Sequence, residues 1–200
     1  LKHARGTRIL KRIETEAPMP GHPGEKLITV EEFLEYEGEP DVRYELVNGR
    51  IVAMAPPTAG HGALAVNLAS LLRAKLSLPC RPYAQAGLRL PNRDDAFYEA
   101  DIAVSCRPHA RDGKWITGPA LVVEILSPTT MAHDRGRKGQ DYRLIPTVQE
   151  ILFVDSQSRW VQLWSRQAEG WFVRDYIGDA LVPLETVPGG LSLDDIYDGV

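Results

Sequence analysis

The spacing of apolar residues changes period several times along this chain. In "AGHGALAVNLASLLRAKLS", Leu64, Leu68, Leu71, Leu72 and Lys75 recur at helical spacing, which predicts an amphipathic helix with one apolar face. Before it, "VRYELVNGRIVAMAP" holds two β-type runs around Asn48-Gly49, a pair suited to the positive φ angles of a tight hairpin. Earlier still, Thr29 is followed three residues later by Glu32, a capping box that starts a short helix at "TVEEFLEY". After the long helix the pattern turns to strands: "RPYAQAGLRL", "YEADIAVSC" and "ALVVEILS". The third is apolar almost throughout, as expected of a central strand covered on both faces. A helix is predicted from about Thr130 to Leu144, then strands at "EILFVD", "WVQLWSR" and "WFVRDYI", the last two on either side of a turn around Glu169-Gly170. Ser192 caps a final helical turn in "LSLDDIY". Elements in this order predict a single α/β domain over residues 27–200.

Residues 1–26 read differently. Lys2, Arg5, Arg8, Lys11 and Arg12 stand there without an acid among residues 1–12, and "APMPGHPG" follows. The expectation is a flexible arm, either solvated or tracking DNA. At 200 residues, with 44% hydrophobic and 25% charged, the composition is that of one globular domain. A net charge of -4 excludes general polyanion binding, so any nucleic-acid site needs a local basic patch. No apolar run approaches the roughly 20 residues of a membrane span, and no secretory signal is visible. Cys80 and Cys106 form no metal-type pair and are expected to be free thiols in a reducing cytosol, which makes the protein cytoplasmic.

Three acids interrupt strand-like apolar runs: Glu45 in "YELV", Asp101 in "ADIAV" and Glu124 in "VVEIL". Buried there, each carboxylate costs several kcal/mol unless it is paired or binds a metal. Glu45 could also face water on a hairpin, and Asp101 could sit at the solvent end of its strand. Converging carboxylates suit a hard cation such as Mg²⁺ or Mn²⁺, and a lysine nearby would act on water or on developing negative charge. In many metal-dependent nucleases that lysine stands two residues after the acid, but here the position is Leu126. Lys138, on the next element, could reach back instead. Asp134, Lys138 and Tyr142 share one helix face, and on spacing alone a surface Asp134–Lys138 ion pair over a half-buried Tyr142 is the favoured reading. Gly136 and Gly139 weaken that helix but let its backbone approach a neighbour closely.

"YELVNGRI", the run from His61 through "GALAVNLASLL", "EADIAV", "VVEILSPTT" and "DRGRKGQDY", in this order, resemble the Uma-type restriction-endonuclease family of the PD-(D/E)XK nuclease superfamily. The likeness runs from about Leu27 to Arg166. It implies a restriction-endonuclease-like core: a central mixed sheet flanked by helices, preceded by a helix and a β-hairpin. It also implies metal-binding roles for Asp101, Glu124 and the carbonyl of Ile125, and a catalytic role for the migrated lysine at Lys138. Glu45 becomes the accessory acid, with Asp134, Tyr142 and His61 as supports around the site. Ala100 departs from the family, which often has Pro before the acid.

The reading that follows is a Mg²⁺-dependent endonuclease acting on DNA, with Arg135, Arg137 and Arg143 as phosphate contacts or, alternatively, as a solvated helix face. Cutting both strands would call for a homodimer. Two rivals stand beside it: a catalytically silent module binding nucleic acid or protein, and a metal-dependent hydrolase of another phosphoester. A Ser127–His133–Asp134 triad lacks its nucleophile elbow, and the five histidines show no zinc spacing.

Overall fold

The computed structural model of the chain describes residues 27–127 and 134–200, with only the backbone described at Asp134. The arm expected over 1–26, the start of the helix expected at Thr130, and His133 lie outside the described residues.

Helix α1 (Val30–Leu34) opens on the expected capping box, the Glu32 N–H donating to the Thr29 hydroxyl and the Thr29 N–H to the Glu32 carboxylate. Strands β1 (Tyr44–Val47) and β2 (Arg50–Ala53) form the hairpin, and Asn48 and Gly49 take φ of 51° and 73° at its turn. Helix α2 (Ala59–Lys75) is capped by Thr58 and buries Leu64, Leu68 and Leu72 as one stripe. Strands β3 (Arg81–Arg89), β4 (Phe97–Ser105) and β5 (Pro119–Leu126) follow. A π-helical turn at Asp134–Lys138 then runs into α3 (Gly139–Tyr142). Strands β6 (Glu150–Asp155), β7 (Trp160–Gln167) and β8 (Gly170–Ile177) complete the main sheet. The short pair β9 (Leu181–Val182) and β10 (Leu191–Ser192) leads into α4 (Leu193–Ile196), capped by Ser192 as expected.

The eight-stranded sheet is mixed: β5 and β6 run parallel, and every other pair is antiparallel. A parallel pair needs a crossover, and its described part, residues 134–149, carries Lys138 over one face. Tyr142, Ile145 and Val148 of that crossover pack there against Ala100, Ala103, Val122 and Phe153. Helices α2 and α4 cover the other face, against Ile102, Val104, Val123 and Leu152. Gly139 explains the close approach of the crossover: a Cβ there would lie 3.0 Å from Phe153 and 3.1 Å from Trp164. Gly136 has open space at the same point and serves no such purpose.

One topological detail positions everything below. Strand β3 pairs with β4 along its whole length, Arg81↔Ser105 to Arg89↔Phe97. β1 and β5 must therefore share the opposite edge of β4. β1 meets it at Phe97, and β5 meets it from Ile102 to Ser105. The interval between Phe97 and Ile102 is a junction of three strands.

The cysteines correct an expectation. Cys80 and Cys106 are joined in a disulfide, not free. The β3–β4 register accounts for it: with Arg81 opposite Ser105, the next pair outward is Cys80 opposite Cys106. The inference of a reducing cytosol rested on free thiols and loses that support. Among the described residues no helix is long and apolar enough to cross a membrane.

Candidate active site at the junction of three strands

Side-chain alternation on β4 slips at Asp101. Ala100 and Ala103 lie in the same core cluster although three residues apart, while Ile102 and Val104 lie in the other. The neighbouring strand slips at the same level, where Tyr83 and Ala86 share a cluster and Gln85 between them has φ of 49°. β4–β5 pairing stops at Ile102↔Val123, one step short of Asp101 and Glu124.

Carboxylates take over the backbone's hydrogen bonds where the ladder stops. Asp101 Oδ2 accepts the Ile125 N–H at 2.7 Å, and Glu45 Oε1 accepts the Glu99 N–H at 2.9 Å. A strand residue's N–H and C=O point to the same side, so the Ile125 carbonyl faces this opening too. Asp101 Oδ1 lies 3.2 Å from His61 Nε2, which the first turn of α2 presents.

Lys138 closes the arrangement from the crossover. Its Nζ lies 2.7 Å from Glu45 Oε1 and 3.6 Å from Glu124 Oε1, and all three side chains are 3–5% exposed. The Tyr142 hydroxyl donates to Glu124 Oε1. Lys138 is therefore buried, not on a surface helix face, and Tyr142 is fully buried, not half-buried. The π-helical turn differs from the α-helix expected there; such turns are frequent at functional sites.

The three arginines are half-buried. Arg135 stacks over Trp160, and Arg143 lies 5.9 Å from the ring centres of Trp164 and Trp171. Arg137 donates to Asn48, and its buried Nε has no hydrogen-bond partner among the described residues.

A second polar group behind Lys138 escaped sequence reasoning. Arg93 grips Asp95 at 2.7 Å and 3.0 Å, Asn48 at 2.9 Å and Asp141 at 3.1 Å. Asp141 also accepts the Tyr98 hydroxyl, and the Lys138 ammonium sits over the Tyr98 ring. This group ties the β1–β2 turn to α3. Burial, then the Asp141 carboxylate, pushes the Tyr98 phenol well above its ordinary range, keeping it a donor. The Arg93 guanidinium holds the Asp95 carboxyl below the usual range. Asp141 stands inside "DRGRKGQDY", three residues past Lys138, and that motif was the signal available for it.

Asp101, Glu124 and the Ile125 carbonyl are hard oxygen donors, the type that suits Mg²⁺ or Mn²⁺. Asp101 spends two of its roughly four lone-pair sites on the contacts above. Among the described residues no group of three or more His, Cys, Asp or Glu is arranged to hold a metal ion. By donor chemistry alone, two carboxylates and a carbonyl are the kind of partial set that Mg²⁺ completes with water.

A mixed sheet flanked by helices, with acids at a strand junction, defines a protein of the restriction-endonuclease-like, PD-(D/E)XK-type fold. The family model for Uma2, described as "Putative restriction endonuclease", matches residues 30–195, and the chain belongs to that family. It is 31% identical over 187 residues to the uncharacterized protein slr1290 of Synechocystis sp. (strain ATCC 27184 / PCC 6803 / Kazusa), covering 92% of this chain and 98% of that one. A second Synechocystis protein, the uncharacterized sll1609, is 27% identical over 161 residues, covering 77% of this chain and 90% of its own length. The crystal structure of "a putative nuclease belonging to DUF820" from Anabaena variabilis ATCC 29413 matches with a TM-score of 0.69 at 21% identity, over 85% of this chain and 97% of that one.

Proposed function

We propose that this protein is a Mg²⁺- or Mn²⁺-dependent endonuclease that hydrolyses DNA phosphodiester bonds. The observation that carries the reading is the buried Lys138, 2.7 Å and 3.6 Å from two strand carboxylates at the end of the β4–β5 ladder. Asp101, Glu124 and the Ile125 carbonyl would hold the ion. Bound there, it would supply an activated water and offset charge on the phosphate under attack.

The chain's own residues have separate tasks. Glu45 and Glu124 fix the Lys138 ammonium, which orients the attacking water and stabilises the charge that develops on the phosphate. Tyr142 holds the Glu124 carboxylate in place. His61 does the same for Asp101 at 3.2 Å. Breaking both strands of a duplex in one encounter would favour a homodimer, because one site cuts one strand.

The rival is a silent nucleic-acid-binding module, favoured by the lack of a three-ligand group among the described residues. A matrix of metal ions against variants on single- and double-stranded DNA separates the two. With Mg²⁺ or Mn²⁺ the protein should cleave, and Lys138→Ala should lose about 100- to 1,000-fold in rate. Cleavage undiminished in both Asp101→Ala and Lys138→Ala, or DNA binding without cleavage in any metal, would end the nuclease reading.

A further inference from the structure

The β3–β4 ladder ends, beyond the candidate active site, in two copies of one tripeptide: Cys80-Arg81-Pro82 and Cys106-Arg107-Pro108. The disulfide joins the copies at their first residues. Cys80 packs toward the α2 side of the sheet. Strand alternation then sends Arg81 and Tyr83 to the opposite face, and Tyr83 does pack with the cluster that contains Tyr142. A cleft of about 460 Å³ opens there, lined by Pro79, Arg81, Tyr83, Arg107, Pro108 and His109.

Its walls are braced. The stem of Arg107 lies on Gly118, where a Cβ would come within 2.6 Å of it, so glycine at φ 60° is what lets the arginine lie flat. The Arg107 N–H donates to Ser105 Oγ at 3.1 Å, and Ser105 Oγ donates to the Thr117 carbonyl at 2.6 Å. Tyr83 Oη and His109 Nδ1 are 3.0 Å apart, their rings edge to face at 4.6 Å. Two arginines line this cleft, and no Asp or Glu is among its lining residues in the described part of the chain. Like charges held together this way favour an anion between them, and the fork geometry matches phosphate oxygens. The Tyr83–His109 pair and the two prolines add flat, rigid surface against which a base can stack.

We infer that this cleft grips the phosphodiester backbone of a single-stranded segment of the substrate. Its place in the fold supports that ligand over a free anion. Tyr83 stands opposite Ala103, two residues past Asp101, and Arg81 opposite Ser105, four past. The cleft thus begins roughly 7 Å along the strand from Asp101 and reaches to about 13 Å. It is also a local basic patch of the kind a chain of net charge -4 needs in order to hold nucleic acid. The inference rests on reading Asp101 as part of the reaction centre.

The test is fluorescence anisotropy with a labelled 12-nucleotide oligothymidylate in EDTA, across a range of NaCl concentrations. Arg81→Ala/Arg107→Ala should weaken binding and lower the slope of log K against log salt by about 1.4, two phosphates at about 0.7 each. Arg81→Glu/Arg107→Glu should abolish binding, with an unchanged thermal melt showing that the fold is intact. Equal affinity and slope in the alanine double variant would overturn the inference. So would displacement of the oligonucleotide by inorganic phosphate or thymidine monophosphate at comparable concentrations, because the cleft would then be a small-anion site. Arginine-dependent binding without cleavage in any metal keeps the cleft and removes the nuclease reading. Cleavage and binding both unchanged by the alanine variant do the reverse.

Discussion

Replacing Lys138 with methionine keeps most of the stem and removes the charge. At an effective dielectric of about 20, a unit pair at 2.7 Å attracts by roughly 6 kcal/mol and one at 3.6 Å by roughly 5 kcal/mol. Desolvating the ions consumes most of that, several kcal/mol for each. What survives is the cost of leaving carboxylates in a dry place without the ammonium beside them, about 3–5 kcal/mol for breaking a buried pair. That is a large part of the roughly 5–15 kcal/mol that holds a domain folded. Glu45→Gln in the same chain should recover part of the loss, because a neutral amide oxygen can still accept the Glu99 N–H without needing a cation. Chemical denaturation of wild type, Lys138→Met, Glu45→Gln and the double variant gives the cycle, with the midpoint read against a constant m-value. The expected coupling is at least about 2 kcal/mol, and the double variant should be more stable than Lys138→Met alone. Additivity within about 0.5 kcal/mol, or a Lys138→Met variant as stable as wild type, would refute the buried pair.

Three further outcomes follow from the packing and the charges. Gly139→Ala should destabilise by about 1–3 kcal/mol, because its Cβ meets Phe153 and Trp164 at 3.0–3.1 Å, whereas Gly136→Ala, in open space, should be neutral or stabilising by up to about 1 kcal/mol. Melting curves that rank the two the other way would contradict the close approach. Loss of the disulfide in Cys80→Ser/Cys106→Ser should cost about 3.5 kcal/mol for a sequence separation of 26 residues; two thiols titrating in denatured, unreduced protein would mean the bridge is not formed. Because Arg93 lowers the folded-state Asp95 value, ionised Asp95 stabilises the fold above the unfolded value near pH 4 and that contribution is lost as pH falls through the folded one. Arg93→Ala should therefore flatten the acid limb of stability against pH below about pH 4, and an unchanged limb would remove Arg93 as the cause.

What could be read from the chain divides by range. Caps, hairpin and apolar stripes are local, and Thr29–Glu32, Asn48-Gly49 and Leu64/Leu68/Leu72 stand in the structure as their spacing predicts. Glu124 was conspicuous for the same reason: a charge inside "VVEIL" violates the burial its neighbours announce. Partnerships were harder. Arg93 meets Asp141 across 48 positions, and no periodicity connects them. The disulfide was missed because compartment was argued before register. Two consecutive strands flanked by Cys80 and Cys106 already implied that an antiparallel hairpin centred near residue 93 would bring those residues face to face.

The position of Lys138 is set by geometry more than by motif spacing. Two residues after Glu124, on the same strand face, stands Leu126, buried in the cluster with Tyr142. A lysine there would have to share that space with the crossover packed over it. The crossover instead brings its own cation: a π-helical turn and the missing Cβ of Gly139 let the segment lie close against Phe153 and Trp164, and this sets Lys138 Nζ over the strand junction. The vacancy the lysine must fill is defined by β4, which leaves β1 at Phe97 and takes up β5 only at Ile102. In this chain the crossover sets Lys138 Nζ 2.7 Å from Glu45 and 3.6 Å from Glu124, so a cation supplied by the crossover reaches carboxylates on two of the strands that meet there. The fold thus constrains where the charge must be and leaves open which residue number supplies it.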